Sequence, residues 1–246
     1  MSHDGPTFYD DAQVFDRYAR LRERAESAND TLEAPVIKAL IGAVDGLDVL
    51  DLGCGDGLYG RELLAAGARS YLGIDGSMNM VRAAQASLAG TKGRVQRGDL
   101  ACGVPAEPAS FDLAISRLAL HYVADIGPVL RGIHAALRPG GRLVFSTEHP
   151  VITCSNQALA DDGLRQDWIV DDYFVPGRRV VAWLGAEVAM HHRTIEEWFA
   201  AVQGAGFVVT ALRESKPQRE RFADPALFER RGRIPLFLFI AARKPL

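Results

Sequence analysis

Cysteine is scarce in this chain: three in 246 residues, Cys54, Cys102 and Cys154, odd in number and far apart. That excludes a disulfide framework and a CxxC metal site, so free thiols and no bound metal are expected. Long apolar runs are lacking too. The longest late one, Leu236-Phe237-Leu238-Phe239-Ile240-Ala241, is strand length and far short of a bilayer span. The opening Met1-Ser2-His3-Asp4 has neither the basic nor the apolar part of a secretory signal, so a cytoplasmic protein without membrane contact is expected. Neither charge is in large excess: 28 Lys and Arg against 31 Asp and Glu leave a net charge of -3. That balance provides no basic footprint for nucleic acid and suits a small neutral or weakly charged partner.

What is present is a hydrophobic content of 48%, enough for one well-filled α/β core. The most informative stretch is Val49-Leu50-Asp51-Leu52-Gly53-Cys54-Gly55-Asp56-Gly57, an apolar run that ends in an acid and then glycines at alternate positions. Leu58 to Ala66 then read as a helix, so a strand, a glycine loop and a helix amino terminus follow in order, which marks a nucleotide-type site. Two nucleotides compete for it. Gly55-Asp56-Gly57-Leu58-Tyr59-Gly60 satisfies GxGxxG with Asp75 placed 20 residues after Gly55, as in an NAD-dependent oxidoreductase. Read one glycine earlier, Asp51-x-Gly53-x-Gly55-x-Gly57 sets an acid at the loop, which suits a cationic group and repels a pyrophosphate.

In this second register Asp-Leu-Gly-Cys-Gly-x-Gly resembles the glycine loop of class I S-adenosylmethionine (SAM) dependent methyltransferases, which implies that the acid helps hold the methionine end of SAM, and the resemblance continues over nearly the whole chain. Tyr71-Leu72-Gly73-Ile74-Asp75 is similar to the family's second strand, ending in a ribose-binding acid; Ser77 then caps a helix bearing Met80. Val95 to Leu100 resembles the third strand, with Asp99 and Leu100 at the adenine, and Phe111 to Ser116 the fourth. Arg138-Pro139-Gly140-Gly141, before Leu143 to Ser146, resembles the turn into strand five. The implied fold is a doubly wound, seven-stranded, mostly parallel sheet with an antiparallel last strand and helices on both faces. Residues 1–45 would form an amino-terminal helical lid and 46–146 the SAM-binding core. Residues 147–193 would form a substrate cap inserted after strand five, and 194–246 a final helix and strands. All belong to one methyltransferase domain. Thr194, with Glu197 three residues on, starts that final helix.

The resemblance implies cofactor contacts from Asp51, Gly53, Cys54, Gly55, Gly57, Asp75, Gly76, Met80, Asp99, Leu100 and Ser116, with Tyr18 and Arg22 reaching from the lid. Gly76 departs from the family, which places a large aliphatic there over the adenine; Met78 or Met80 would fill the gap. The acceptor side would be lined by Tyr9, Arg117, His149, Trp168, Tyr173 and His192, and the aromatic-rich cap also holds Phe174 and Trp183. His121, Tyr122 and His149 follow strands four and five and are the candidates for assisting the reaction, a histidine near its ordinary pKa being a competent base. The expected activity is methyl transfer from SAM, leaving S-adenosylhomocysteine (SAH), to a small aromatic or indolic acceptor of specialised metabolism. A non-catalytic SAM-binding protein stands as the alternative. A nucleic-acid methyltransferase would carry Asn/Asp-Pro-Pro-Tyr after strand four, where this chain has Ser116-Arg117-Leu118-Ala119.

Overall fold

The computed structural model describes residues 3–22, 26–155 and 168–246. Two short helices, α1 (Gly5–Asp10) and α2 (Ala12–Arg22), precede a π-helical turn at Asn29–Glu33 and α3 (Ala34–Ile41). Alternation then begins: β1 (Asp48–Leu52), α4 (Leu58–Ala65), β2 (Ser70–Asp75), α5 (Met78–Leu88), β3 (Gly93–Arg97), β4 (Phe111–Arg117), α6 (Ile126–Ala136), β5 (Leu137–Glu148) and the short α7 (Pro150–Thr153). A hairpin, β6 (Gly177–Trp183) with β7 (Ala186–His192), is followed by α8 (Ile195–Gly204), β8 (Val208–Glu214), α9 (Pro225–Arg231) and β9 (Phe237–Arg243).

The main sheet has seven strands in the order β3-β2-β1-β4-β5-β9-β8, parallel except where β9 runs against both β5 and β8. Strand side chains alternate between faces, so two cores form. Leu50, Leu52, Ala114 and Phe145 pack with Val129, Ile133 and Trp198 of α6 and α8 on one face. Val49, Leu113, Ile115 and Phe239 pack with Ile37, Leu63 and Ala84 of α3, α4 and α5 on the other. The strand order reverses between β1 and β4, and ligands of open α/β sheets lie at the carboxyl ends beside such a reversal. Leu52, Asp75, Arg117 and Glu148 mark those ends here.

Several boundaries differ from the sequence reading. The third strand spans Gly93–Arg97, so Asp99 and Leu100 lie beyond it, Leu100 opening a 3-10 turn. The Pro139-Gly140-Gly141 turn is absorbed into β5 as an irregularity: Phe111 pairs with Leu137, then Leu113 with Arg142. Gly140, at φ +77°, makes that bend possible. Capping expectations hold: Ser77 Oγ accepts from Met80 N at 3.2 Å, and Thr194 and Glu197 form a reciprocal capping box on α8.

Residues 156–167 of the expected cap, and the Arg22 side chain, lie outside the described residues. The β6–β7 hairpin of the cap is joined to the amino terminus. His3 N donates to Glu187 O at 2.9 Å and Ala189 N to His3 O at 2.8 Å, while Phe8, Val14 and Val188 form a small core flanked by Tyr9 and Tyr122. Burying Phe8 completely contributes roughly 2–3 kcal/mol to that contact.

Candidate active site

The glycine loop is built from its ends inward. Gly53 N and Cys54 N both donate to Ile74 O, at 2.8 and 3.1 Å, which ties the loop leaving β1 to the end of β2. Most of its glycines are required by protein packing: a Cβ on Gly53 would lie 2.2 Å from Ala119 Cβ, one on Gly57 2.9 Å from Ala84, and one on Gly60 2.3 Å from the Tyr71 ring. Gly55 is the exception. Its φ is +56° and an added Cβ would meet nothing within 4 Å, so the loop presents bare backbone to open space there.

Two carboxylates flank that opening. Asp75 is held by Gly55 N on Oδ2 and Ser77 N on Oδ1, both at 2.9 Å. Burial pushes its pKa up to about 6, against the pull of those two N–H groups. Asp51 lies deeper: Tyr71 OH donates to Oδ2 at 2.7 Å, and Oδ1 is buried with no hydrogen-bond partner among the described residues. Burial raises its pKa to about 7, offset in part by the Tyr71 bond and the Arg117 charge. Gly60 thus serves to admit the Tyr71 ring that holds Asp51, which removes the GxGxxG match as a sign of a dinucleotide.

Arg117, expected at the acceptor, is committed to the protein. Its Nε donates to both oxygens of the fully buried Glu33 at 3.1 Å, Nη2 pairs with the same carboxylate, and Ser146 Oγ donates to Glu33 Oε1 at 2.8 Å. The guanidinium stacks 4.5 Å from the Tyr59 ring centre. The next residue, Leu118, is held at φ +52°, a left-handed conformation uncommon for a bulky side chain, where the chain turns over the glycine loop. Nothing in the sequence around Glu33 foretold this pair, because it joins segments 84 residues apart.

The histidines divide. His149 Nδ1 accepts from Val151 N at 3.2 Å, so Nε2 carries the proton it donates to Glu214 Oε1 at 3.0 Å. Both nitrogens are used in capping α7 and bracing β8, which corrects its expected place in the acceptor cavity. His192 is equally saturated, accepting from Thr153 Oγ1 at 2.7 Å and donating to Tyr173 O at 2.9 Å. His121 is different: buried beside Tyr122, its hydrogen bond among the described residues is a long 3.4 Å contact with Thr147 Oγ1. Burial and the Arg193 charge push its pKa down to about 3, so it is neutral at pH 7.

Tyr9, Tyr18 and Tyr122 meet in this region. Tyr9 and Tyr122 hydroxyls are 3.4 Å apart, and the Tyr9 ring stands edge-on to Tyr18 at 5.3 Å. Burial drives the Tyr9 and Tyr122 pKa values far above 10. The cap aromatics are placed elsewhere: Trp168 stacks with Arg230 and Arg233, Tyr173 OH accepts from Ile195 N, Trp183 is half exposed and Phe174 is 86% exposed. Ser116 Oγ donates to Leu52 O, bracing β4 on β1, and Cys54 packs its sulfur against Gly73. Met80 is buried, and the ring of Pro6, in place of either methionine, fills the space at Gly76. A groove of about 1270 Å³ along Gly93–Gln96 and Val104–Pro108 borders Ser70 and Phe111 at the amino-terminal ends of β2 and β4, away from Asp75.

Comparison with known proteins agrees with this geometry. A family model described as a methyltransferase domain matches residues 49–141. A SAM-dependent methyltransferase of Mesorhizobium loti superimposes with a TM-score of 0.79 at 35% identity, covering 89% of this chain and 99% of that one. The demethylmenaquinone methyltransferase of Lactococcus lactis is 31% identical over 73% of each chain. The malonyl-[acyl-carrier protein] O-methyltransferase of Pseudescherichia vulneris is 34% identical over 55% of this chain and 49% of its own. The chain belongs to the class I SAM-dependent methyltransferases. It is a SAM-dependent enzyme, and its residues fit that cofactor: open backbone at Gly55, a buried unmet oxygen on Asp51 for an ammonium, and a fixed acceptor pair on Asp75 for a diol.

Proposed function

We propose that the enzyme methylates a small aromatic molecule, of the size of a phenol or indole from specialised metabolism, held beneath Tyr9, Tyr18 and Tyr122. The observation that carries this reading is the tyrosine cluster itself, whose rings already meet edge to face and which adjoins the end of β4 next to the glycine loop. An aromatic acceptor extends that packing at about 0.5–1.5 kcal/mol per ring pair. The quinone-related name of the Lactococcus lactis relative points the same way.

In this reading Asp51 takes the ammonium of SAM and Asp75 its ribose hydroxyls, while Gly53, Gly55 and Gly57 let the backbone approach. Bound SAM supplies an electrophilic methyl group on a good leaving group, so the protein's main tasks are alignment and exclusion of water. Tyr9, Tyr122 and His121 remain neutral at pH 7 and orient the acceptor by hydrogen bonding. A proton is not stored on His121, whose pKa of about 3 makes it a poor base. An acceptor hydroxyl with a pKa near 10 or below, as in phenols, can lose its proton without one. The test is transfer of labelled methyl from SAM to a panel of phenols, indoles, aliphatic amines and carboxylates. Labelling of the aromatic members supports the reading. Labelling confined to aliphatic members overturns it.

A further inference from the structure

Tyr71 lies on β2 on the same face as Gly73 and Asp75, because side chains two and four residues apart on a strand share a face. In register, Gly73 stands beside Asp51 of β1. The missing side chain at Gly73 lets the Tyr71 ring lean along the strand to that carboxylate: a Cβ there would lie 3.1 Å from Tyr71 Cε1 and 2.7 Å from Cys54 Sγ. Gly60 on α4 opens another side, where a Cβ would lie 2.3 Å from Tyr71 Cζ and 2.5 Å from Cε1. Two glycines from separate motifs therefore make the slot for one ring, which is 1% exposed.

The slot ends at Asp51. Tyr71 OH donates to Oδ2 at 2.7 Å, and Oδ1 has no hydrogen-bond partner among the described residues. The two oxygens of a carboxylate are equivalent, so one strong donor fixes which is engaged and which is left. An O–H given to a carboxylate also favours its charged form, which burial opposes here. Arg117 at the end of β4 works with Tyr71, whereas Asp75 at the end of β2 and Glu33 before α3 work against it. Arg117 is itself bonded to Glu33, so the direct hydrogen bond is the one from Tyr71. Cys54 of the loop and Tyr59 of α4 also face Asp51, and burial together with the Asp51 charge keeps both protonated at pH 7. The same two causes push the Tyr71 pKa well above 10, so the phenol keeps the proton it donates.

We infer that Tyr71 is the positioning residue for the cationic end of the cofactor: its hydroxyl holds Asp51 as a carboxylate by Oδ2 and leaves Oδ1 to take the ammonium. The inference rests on the assignment of Asp51 to the ammonium of SAM. Tyr71 itself acts through Asp51, since its ring is enclosed by the chain. Gly60 and Gly73 then belong to one device, and the third glycine of the GxGxxG match serves a cation site.

The test is a double-mutant cycle, read by calorimetric titration of SAM into the full chain from about pH 5.5 to 9, with Tyr71→Phe, Asp51→Asn and the two combined. Tyr71→Phe keeps the ring in its slot and removes only the donor. Its SAM affinity at pH 7 is expected to fall about tenfold. The pH at which affinity levels off is expected to rise by about one unit, because a carboxylate without its donor ionises later. In the Asp51→Asn background the same change is expected to alter affinity by less than about twofold. Wild-type affinity and pH profile in Tyr71→Phe would overturn the inference. So would an equal weakening at every pH, or the same loss in the Asp51→Asn background, either of which a merely structural tyrosine predicts. Binding of SAM by Asp51→Asn as tightly as by the wild type would instead overturn the assignment of Asp51 beneath it.

Discussion

Asp51 and His149 stand at comparable places, one near the carboxyl end of β1 and the other just past that of β5, and both side chains are about 2% exposed. They differ in what remains unmet. Asp51 keeps one buried oxygen without a partner and a pKa displaced to about 7, whereas both nitrogens of His149 are engaged by Val151 and Glu214. The contrast extends to the regions around them. On the β1–β2 side the protein leaves backbone at Gly55 and an oxygen on Asp51 for something else to meet. Toward β5 and the hairpin, Arg117, His149 and His192 are satisfied within the chain. A buried polar group costs about 1–3 kcal/mol if unpaired, so the unmet Asp51 oxygen, beside the open backbone of Gly55, is available to a ligand, whereas the saturated groups are already engaged by the chain.

The comparison breaks most readily at the loop. Gly53→Ala combines a positive φ with a Cβ 2.2 Å from Ala119, at a cost of about 2–5 kcal/mol. Calorimetric titration should show SAM affinity lost or reduced by about a hundredfold or more, and an unaffected titration would show that the loop does not hold the cofactor. Asp75→Ala removes a charge-assisted acceptor pair worth roughly 1.5–3 kcal/mol, so SAM should bind at least about tenfold more weakly in the same titration.

The Asp51 carboxyl sharpens the contrast through pH. Its folded pKa, about 7, is above the ordinary carboxylate value near 4, so between those limits the folded chain holds a proton that the unfolded chain has lost. Stability of the ligand-free protein from this group is therefore present at low pH and lost as pH rises through about 7. A cationic ligand favours the carboxylate, so SAM affinity should rise with pH and level off above about 7, with proton release on binding. In Asp51→Asn only the part ending near 6, from Asp75, should remain. A wild-type affinity that is flat from pH 5 to 8 would remove Asp51 from the site.

The smallest effect on turnover belongs to His149. His149→Ala should change kcat by less than about twofold yet cost about 1–2 kcal/mol of stability through the lost α7 cap and Glu214 bond, as read from denaturant unfolding. A large loss of kcat with unchanged stability would return His149 to the acceptor cavity.

Local pattern made much of this legible. Apolar runs ending in Asp51 and Asp75, Ser77 before a helix and Thr194 with Glu197 are signals carried within a few residues, and each reappears in the structure. The sheet followed from strand and helix alternating along the chain, and its antiparallel last strand from the family resemblance. The position of an aromatic-rich insertion after strand five points Trp168 and Tyr173 to the acceptor side but cannot say what each ring meets; Arg230 and the start of α8 decide that. Pro6 and Glu33 carried no local signal, since their partners Gly76 and Arg117 are distant in sequence.

The sequence by itself determined a strand, a glycine loop and two acids that fit SAM, because a φ above zero, a cap or an alternating apolar face depends on residue type and short spacing. Only the tertiary structure decided which polar groups are left over. Whether Asp51, Arg117 or His149 meets a ligand depends on whether Tyr71, Glu33 or Glu214 arrives first, and long-range packing alone brings those partners within reach.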